Sequence, residues 1–319
     1  MKLQFNMTDS DCDLERYASR QELLEMLSGF DGLELMHCQE DTRGILPPDR
    51  IIGLHMSCPY YWLDFWRGDR ARCLEEFGSE DALRAFYGGD DPQVLVRRFQ
   101  DELETARRLG AEYVVFHVSD SSSRETLTGV YAHTDREVID GVCGLINQAL
   151  PADQDGPLLL LENLWEPGLT FTQPELTARL LEGIRYPRTG IMLDTGHLMH
   201  TQPRLRTQTQ ALEYIHSCLD AHGALCRHIR GVHLHQSLTG AVMRRYQKEP
   251  PVLSSDHNTR MGQLFSYVFQ VDRHRPFTCP GVRELVERID PDYLTYEFIS
   301  TSRQEHAAML RRQQRALAR

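Results

Sequence analysis

The sequence predicts an α/β fold, a (β/α)8 TIM barrel, from patterns that repeat along the chain. Eight short apolar runs alternate with segments of helical periodicity, which is the rhythm of repeated βα units. Each run is almost continuously apolar, as expected of strands that a closed parallel barrel buries on both faces. Neither GxGxxG nor GxxxxGK occurs, so the phosphate turn of an open nucleotide-binding sheet is missing. All 319 residues are predicted to form one domain.

The elements follow one another without a linker. The predicted strands are, in chain order, KLQFNMT, GLELMHC, IIGLHMS, YVVFHVS, LLLLENL, TGIMLDTGH, IRGVHLHQS and LTYEFIS. The clearest helix runs from Asp91 to Gly110, because it has an acidic, Pro-containing start, helically spaced apolar residues and a terminal glycine. Further helices are predicted at SRQELLEMLSGF, TDREVIDGVCGLINQAL, QPELTARLLEGI, QALEYIHSCLDAHGALC, VRELVERI and SRQEHAAMLRRQQRALA.

Segment 238–280 is predicted to be a long loop insertion after the seventh strand. It would lie at the carboxyl-terminal face of the barrel, where loops form active sites. We interpret it as a lid, an oligomer contact or both, so the chain is a possible homo-oligomer. Within it, MGQLFSYVFQV has the pattern of a short apolar helix that packs on the barrel rim or forms a dimer contact.

Composition limits the classes of partner and compartment. The formal charge is -11, from 46 acidic and 35 basic residues, which argues against a nucleic-acid partner. Nucleic acid could still bind if the chain formed a local basic groove. Eight cysteines without a CxxC pair, and an amino terminus without the apolar core of a signal peptide, predict a reducing cytoplasm. No apolar run approaches the ~20 residues that span a bilayer, so no membrane association is expected.

Six of the apolar runs end in side chains that can bind a divalent metal. These residues are His55, His117, Glu162, Asp194 with His197, His233 and Glu297. A single such residue is more often a satisfied polar group or a helix cap. However, an unpaired buried carboxylate costs several kcal/mol, so three acids at buried strand ends require a neutralising partner. A divalent cation is such a partner, and mixed histidine and carboxylate ligands suit zinc or manganese.

An aromatic segment follows the third strand, where a loop should begin at the mouth of the barrel. It contains Tyr60, Tyr61, Trp62, Phe65 and Trp66. These rings could stack on a sugar or a base, or they could pack the loop against a helix. Trp165, just after the fifth strand, is in a similar position. We therefore predict Tyr60, Trp62 and Trp165 as substrate-binding residues.

Five separated motifs carry a family resemblance. They are LENLWEPG, LDTGHL, GVHLHQ, DRHRP followed by PGV, and a final TYEF. In this order they resemble the xylose-isomerase-like TIM barrel superfamily, which includes sugar phosphate isomerases and epimerases and the endonuclease IV type of abasic-site nuclease (AP endonuclease family 2). The resemblance extends over the strand order from about Gly32 to Ser300. It implies a core metal site formed by Glu162, Asp194, His233 and Glu297.

The nuclease branch has further ligands, and its pattern implies one to three ions per chain. His55 and His117 would serve a second ion, and His197, Asp272 and His274 a third. However, segment 238–271 separates the DxH pair from the seventh strand, and it contains a rival pair, Asp256 with His257.

Other departures from the nuclease pattern lie beside these ligands. Pro280 stands in the stretch where the branch is glycine-rich, and proline cannot adopt positive φ. His235 and Gln236 replace the usual acidic residues after the seventh-strand histidine. These changes argue against a nuclease.

The leading functional hypothesis is therefore a divalent-metal-dependent isomerase or epimerase. It would act on a carbohydrate, a sugar or sugar-like α-hydroxy carbonyl compound, through an enediolate. Glu162 and Glu297 would move the proton, while His197 and His235 would bind the substrate. The alternative is a multinuclear zinc hydrolase of endonuclease IV type that cleaves a phosphodiester or abasic DNA. A barrel that binds metal and ligand without turnover is a third possibility.

Overall fold

The strands form a closed barrel, as the sequence predicts. The structure is a computed structural model that describes residues 1–152 and 155–318. The strands are β1 (Lys2–Thr8), β2 (Gly32–Met36), β3 (Ile51–His55), β4 (Tyr113–His117), β5 (Leu158–Glu162), β6 (Thr189–Asp194), β7 (Ile229–His233) and β8 (Tyr293–Tyr296). Each strand pairs in parallel with the next, and β8 pairs with β1. The prediction of a (β/α)8 barrel is confirmed.

Helices surround this barrel. They are α1 (Asp11–Leu14), α2 (Arg20–Met26), α3 (Leu63–Arg67), α4 (Arg70–Phe77), α5 (Glu80–Tyr87), α6 (Gln93–Leu109), α7 (Ser123–Thr128), α8 (Asp135–Ala149), α9 (Pro174–Gly183), α10 (Thr195–His200), α11 (Gln208–His222), α12 (Gly240–Lys248), α13 (His257–Val271), α14 (Val282–Ile289) and α15 (Arg303–Leu317). Short 3-10 turns occur at Pro48–Arg50 and Gly223–His228. Among the described helices, none is both long and apolar enough to cross a membrane.

The segment between β3 and β4 differs from the sequence prediction. It contains α3, α4 and α5 before the predicted helix at 91–110, which corresponds to α6. Each of the three added helices ends at a glycine with positive φ, at Gly68, Gly78 and Gly88. Helices this short contain too few turns for a clear apolar periodicity, which is why the pattern did not indicate them.

Side-chain alternation directs the strand-end residues into the barrel. Inside it lies an apolar cluster, separate from the main core, formed by Ile52, Tyr113, Val115, Leu158, Leu160 and Met192. His117, Glu162 and Asp194 each follow a member of this cluster by two residues, so they lie on the same inner face, nearer the carboxyl ends. The intervening Phe116 and Leu161 belong to the main core.

A polar network crosses the interior of the barrel beside this cluster. Tyr113 Oη donates to Glu34 Oε2, and Thr295 Oγ1 donates to the same oxygen over 3.0 Å. Gln4 Nε2 donates to Thr295 Oγ1. Gly53 lies between Glu34 and Tyr113 in the strand register, and a Cβ at Gly53 would come within 2.2 Å of Tyr113 Cζ. The glycine therefore makes room for the tyrosine that fixes the Glu34 carboxylate.

The insertion after β7 is helical rather than a long loop. It contains α12 and α13, which pack on α7 and on each other. The predicted short apolar helix is part of the longer α13. The two ends of the insertion are held together, because Thr239 Oγ1 donates to the carbonyl of Val271 over 2.5 Å. Beyond them, Gln236 and Arg275 form an antiparallel backbone bridge. The chain thus leaves β7 and returns to the same place.

One buried histidine makes folding stability depend on pH. His306 on α15 is 5% exposed, its ring meets that of Phe5 edge-on, and its Nε2 has no hydrogen-bond partner among the described residues. Burial lowers the pKa of His306 to about 4. The unfolded chain binds a proton at His306 at a higher pH than the folded chain does. The free energy of unfolding is therefore unaffected by His306 above about pH 6.5 and decreases as the pH falls towards 4.

We expect His306→Leu to reduce this acid sensitivity. Between pH 7.5 and 5.5 its free energy of unfolding should rise by about 1.4 kcal/mol relative to the natural protein, since leucine takes up no proton in the unfolded chain. Urea unfolding at a series of pH values measures the difference. His228→Leu, at a less buried position, is the control. A difference that does not change with pH would contradict this account of His306.

Candidate metal centre

The strand register brings the strand-end residues side by side. His117 lies opposite Glu162 in the β4–β5 ladder, and Asp194 lies opposite His233 in the β6–β7 ladder. The carboxyl ends of parallel barrel strands meet at one rim, so residues from distant parts of the chain converge there. Glu162, Asp194 and His233 are fully buried at this rim.

Among the described residues, four groups of side chains have ligand atoms within 4.8 Å of one another. Group A is His55, His117 and Glu162; group B is Glu162, Asp194, His233 and Glu297; group C is His197, His235, Asp272 and His274. The fourth, His55 with His233 and Glu297, consists of residues shared with groups A and B. These groups contain the four core ligands and the five additional ligands that the sequence predicted. They also contain His235, which was predicted as a substrate-binding residue.

Glu162 joins groups A and B through its two carboxylate oxygens. Its Oε2 lies 3.1 Å from His55 Nε2 and 3.2 Å from His117 Nε2. Its Oε1 lies 3.2 Å from His233 Nδ1 and 3.2 Å from His197 Nδ1. Each oxygen therefore faces a different set of imidazoles, so Glu162 would be a shared ligand if cations occupied both groups.

The carboxylates of the site differ in ionisation. Burial favours the neutral acid at Glu162, but the imidazoles of His117 and His233 outweigh it and hold its pKa well below the usual range. Burial raises the pKa of Glu297 above its usual value, although His233 and His274 oppose the shift. Glu162, which is ionised, and Glu297, which is costly to ionise, therefore lie in the same buried site. Bound cations would neutralise the negative charge of both carboxylates.

The donor set fits divalent cations. Glu297 Oε2 and His235 Nδ1 are buried, and neither has a hydrogen-bond partner among the described residues. Imidazole nitrogen and carboxylate oxygen together are the ligands that zinc and manganese accept. Coordination would satisfy the carboxylate oxygen and relieve the burial of unpaired charge.

The DTGH motif places two ligands by capping a helix. Asp194 ends β6 and is the N-cap of α10, where Oδ1 accepts from the backbone N–H of His197 over 2.6 Å. This cap directs the His197 side chain back over the rim. Thr195 Oγ1 donates to the carbonyl of His235 over 2.6 Å, which ties α10 to the end of β7. Gly196 is required, because a Cβ there would lie 2.0 Å from Cε1 of the His235 ring.

Asn163 is a positioning residue that sequence reasoning missed. Its Oδ1 accepts from the backbone N–H of Asp194 over 2.8 Å, and its Nδ2 donates to the Asp194 carbonyl over 3.0 Å. Its own carbonyl lies 3.0 Å from His197 Nδ1 and accepts the ring proton there. A ring held in this way directs its other nitrogen, Nε2, towards group C. The LEN motif contained this residue, but only its glutamate was interpreted.

Group C is compact and contacts group B. Asp272 Oδ2 lies 2.7 Å from His274 Nε2 and 3.1 Å from His197 Nε2. The His235 ring stacks on that of His274 with centroids 3.8 Å apart. His235 Nε2 lies 2.8 Å from Asp194 Oδ2, so the predicted substrate-binding histidine connects the two groups.

The two rival acid-histidine pairs lie at opposite ends of α13. Asp272 is its C-cap and belongs to group C, together with His274. Asp256 is its N-cap, and its side chain accepts from the backbone N–H of Thr259. His257 packs against the ring of Phe77 with centroids 4.9 Å apart. The structure therefore brings Asp272 and His274, and not the Asp256 pair, to the site.

The insertion leaves this ligand pair in place because its exit is fixed to the end of β7. Ser237 Oγ accepts from the backbone N–H groups of Arg273 and His274 over 2.9 and 3.3 Å. His274 adopts a positive φ of 44°, which is uncommon for a residue other than glycine. The altered stretch that contains Pro280 follows this turn, and its positive φ falls on Gly281 and not on Pro280.

Two further residues support the ligands from outside the groups. Glu34 Oε1 lies 2.8 Å from His233 Nε2 outside hydrogen-bond geometry, so this carboxylate acts on the ring through its charge while Nδ1 faces group B. His200 Nε2 lies 3.3 Å from Asp272 Oδ1. Sequence reasoning missed both residues. The signal for Glu34 was an acidic residue in the middle of an apolar strand.

A cavity of about 520 Å³ adjoins the centre. Tyr60 and Trp165, the predicted substrate-binding residues, line it together with His197 and Asp272. Trp62 is outside this lining and 2% exposed, and its indole N–H donates to the carbonyl of Ser119 over 2.8 Å. The structure therefore places Trp62 as a packing residue of the loop, since α3 begins immediately after it and turns its ring inward.

A family model described as the xylose isomerase-like TIM barrel matches residues 27–315. The chain therefore belongs to the xylose isomerase-like TIM barrel family, which includes sugar isomerases and epimerases as well as endonuclease IV. A search of curated proteins finds no match.

Several solved structures share the fold. Endonuclease IV from Thermus thermophilus is 17% identical, with a TM-score of 0.52 over 100% of this chain and 99% of that chain. The IolI protein with a bound zinc atom is 14% identical, with a TM-score of 0.50 over 99% and 96%. The 3-keto-D-glucoside 4-epimerase YcjR from E. coli is 15% identical, with a TM-score of 0.47 over 100% and 98%. At these identities, the likeness to endonuclease IV and to IolI shows the fold alone.

We expect the metal content to depend on Asp272 and not on Asp256. Asp272→Ala removes a ligand from group C and should lower the number of ions per chain by one, as measured by elemental analysis of protein purified without chelator. Asp256→Ala is the matched control, because it removes an aspartate from the other end of α13. It should cost about 1 kcal/mol of stability as a lost helix cap and retain every ion. Equal metal content in the two variants would refute the group C site.

Glu34→Gln should weaken metal binding without removing a ligand. The amide keeps the size of the carboxylate but loses the charge that orients His233, so affinity should fall about 10- to 100-fold. Competition with a chromogenic chelator measures this change. Glu112→Gln, at the exposed ion pair with Lys2, provides the control. Unchanged affinity in Glu34→Gln would show that the Glu34 contact does not support the metal centre.

Proposed function

We propose that the protein is a multinuclear, divalent-metal-dependent hydrolase that cleaves a phosphodiester. The observation that carries this proposal is the position of Glu162. Both of its oxygens face imidazoles of different ligand groups at 3.1 to 3.2 Å. A carboxylate held in this way is suited to bridging cations. It is poorly suited to exchanging a proton with the carbon of a sugar, because both oxygens are already in contact with imidazoles.

The number of ligand groups also favours hydrolysis. Group B alone would satisfy the single-ion enediolate mechanism that the sequence first suggested. Groups A and C supply His55, His117, Asp272 and His274 in addition, all close to the same carboxylates. Bound divalent cations would neutralise phosphate oxygens and acidify water, which is the chemistry of multinuclear phosphodiesterases.

The residues of the chain have separable roles in this proposal. Glu162 would fix the spacing between groups A and B. Asp194 and His235 would hold group C against group B. Asp272 lies both in group C and on the cavity wall, so it would mark where the reacting phosphate meets the centre. Trp165, whose ring lies 5.2 Å from that of His197, would form the adjacent wall and limit the access of water.

A sugar isomerase or epimerase is the second candidate. The specific observation in its favour is the cavity, whose volume of about 520 Å³ suits a small molecule. In that mechanism Glu162 and Glu297 would transfer the proton while one ion holds the substrate oxygens.

Two assays on one preparation separate these candidates. We expect the protein, loaded with zinc or manganese, to hydrolyse bis(p-nitrophenyl) phosphate. Glu162→Gln should lower kcat/KM by roughly 100-fold or more, because it removes the bridging charge. Glu175→Gln, in the first turn of α9, is the control. Deuterium uptake from D2O into a ketose, measured by NMR without any hydrolysis of the diester, would instead establish the isomerase.

A further inference from the structure

We infer, building on the proposed hydrolase function, that the substrate is a small phosphodiester with a flat apolar substituent and not a nucleic-acid duplex. The cavity opens onto the ligand groups, because His117, His197 and Asp272 lie in its wall. Its volume of about 520 Å³ is typical of sites that enclose a small organic ligand. A diester bound there would place its phosphorus beside the ligands and its substituent inside the cavity.

The rest of the wall is mainly apolar and aromatic. Tyr60 and Phe86 come from the segment between β3 and β4, Trp165 comes from the loop after β5, and Phe265 and Val268 come from α13, which we call the lid helix. Aromatic faces stack on flat groups, and an apolar wall gains free energy by removing such groups from water. This lining therefore selects an aryl or similar flat substituent over a hydrated chain.

The cavity wall contains one basic residue beside the carboxylates of Glu166 and Asp272. Among the residues that line this cavity, Arg98 is the single lysine or arginine. Along the lid helix the single lysine or arginine is Arg260, which is 6% exposed and lies 3.9 Å from Glu76. A duplex is bound through rows of cations that displace counterions from its backbone. Neither the wall nor the lid helix provides such a row.

The lid helix is fixed over the cavity by buried contacts. Leu264, Tyr267 and Val271 are buried on its inner face. At its first turn, Arg260 Nη1 donates to the carbonyl of Ser254 over 2.7 Å. The cavity of about 520 Å³ that this helix covers has the size of a site for a small molecule and not for a duplex.

The test compares two diesters with the same leaving group, using the metal-loaded full chain. These are bis(p-nitrophenyl) phosphate and methyl p-nitrophenyl phosphate, with each rate normalised to the rate of its reaction with hydroxide. We expect kcat/KM to favour the diaryl ester at least tenfold. Phe265→Ala should reduce this preference at least fivefold. Phe269→Ala is the matched control, because Phe269 lies on the same helix and is similarly exposed but is outside the cavity wall.

The outcomes separate the substrate inference from the proposed function. A higher kcat/KM for an abasic duplex oligonucleotide than for the diaryl ester would overturn the small-substrate inference and leave the hydrolase standing. The same would follow if Phe265→Ala and Phe269→Ala behaved alike. Failure to cleave all three substrates with a full complement of metal would overturn both.

Discussion

The burial of Glu162 is the constraint on which the site depends. A fully buried carboxylate is costly unless charge or hydrogen bonds compensate it, and here four imidazole nitrogens surround its two oxygens. Those imidazoles come from β3, β4, α10 and β7. They can converge only because a closed barrel ends all its strands at one rim. Closure of the barrel thus determines both the fold and the arrangement of the candidate ligands.

The fold and the convergence of most candidate ligands could be predicted from the sequence because each strand carries its own signal. A continuous apolar run indicates burial on both faces, and a polar residue at its end indicates the rim. His55, His117, Glu162 and Asp194 are recognisable in this way. Glu34 could not be recognised in this way, because it lies inside β2 and not at a strand end. Its partner, His233 on β7, comes close only when the barrel closes.

Other features depended on tertiary packing that no local pattern contains. Trp62 has the same composition signal as Tyr60, yet the start of α3 turns one ring inward while the other lines the cavity. The insertion made it hard to predict that His274 lies in the candidate metal centre. The number of residues between β7 and His274 gives the length of the insertion, but it does not give the distance in space between the two ends of the insertion. Hydrogen bonds from Thr239 and to Ser237 close that distance. The assignment of His235 to a ligand group depended on its stacking with His274.

Asp272 belongs to two structures at once, since it is the C-cap of α13 and a member of group C. An ion bound in group C would therefore tether the end of the lid helix. By thermodynamic linkage, if that ion raises the affinity for a substrate that contacts α13, the substrate must raise the affinity of group C for its ion by the same factor. Substrate affinity and metal occupancy would then be coupled properties, and the protein would sense the supply of its metal through the same helix that encloses its substrate.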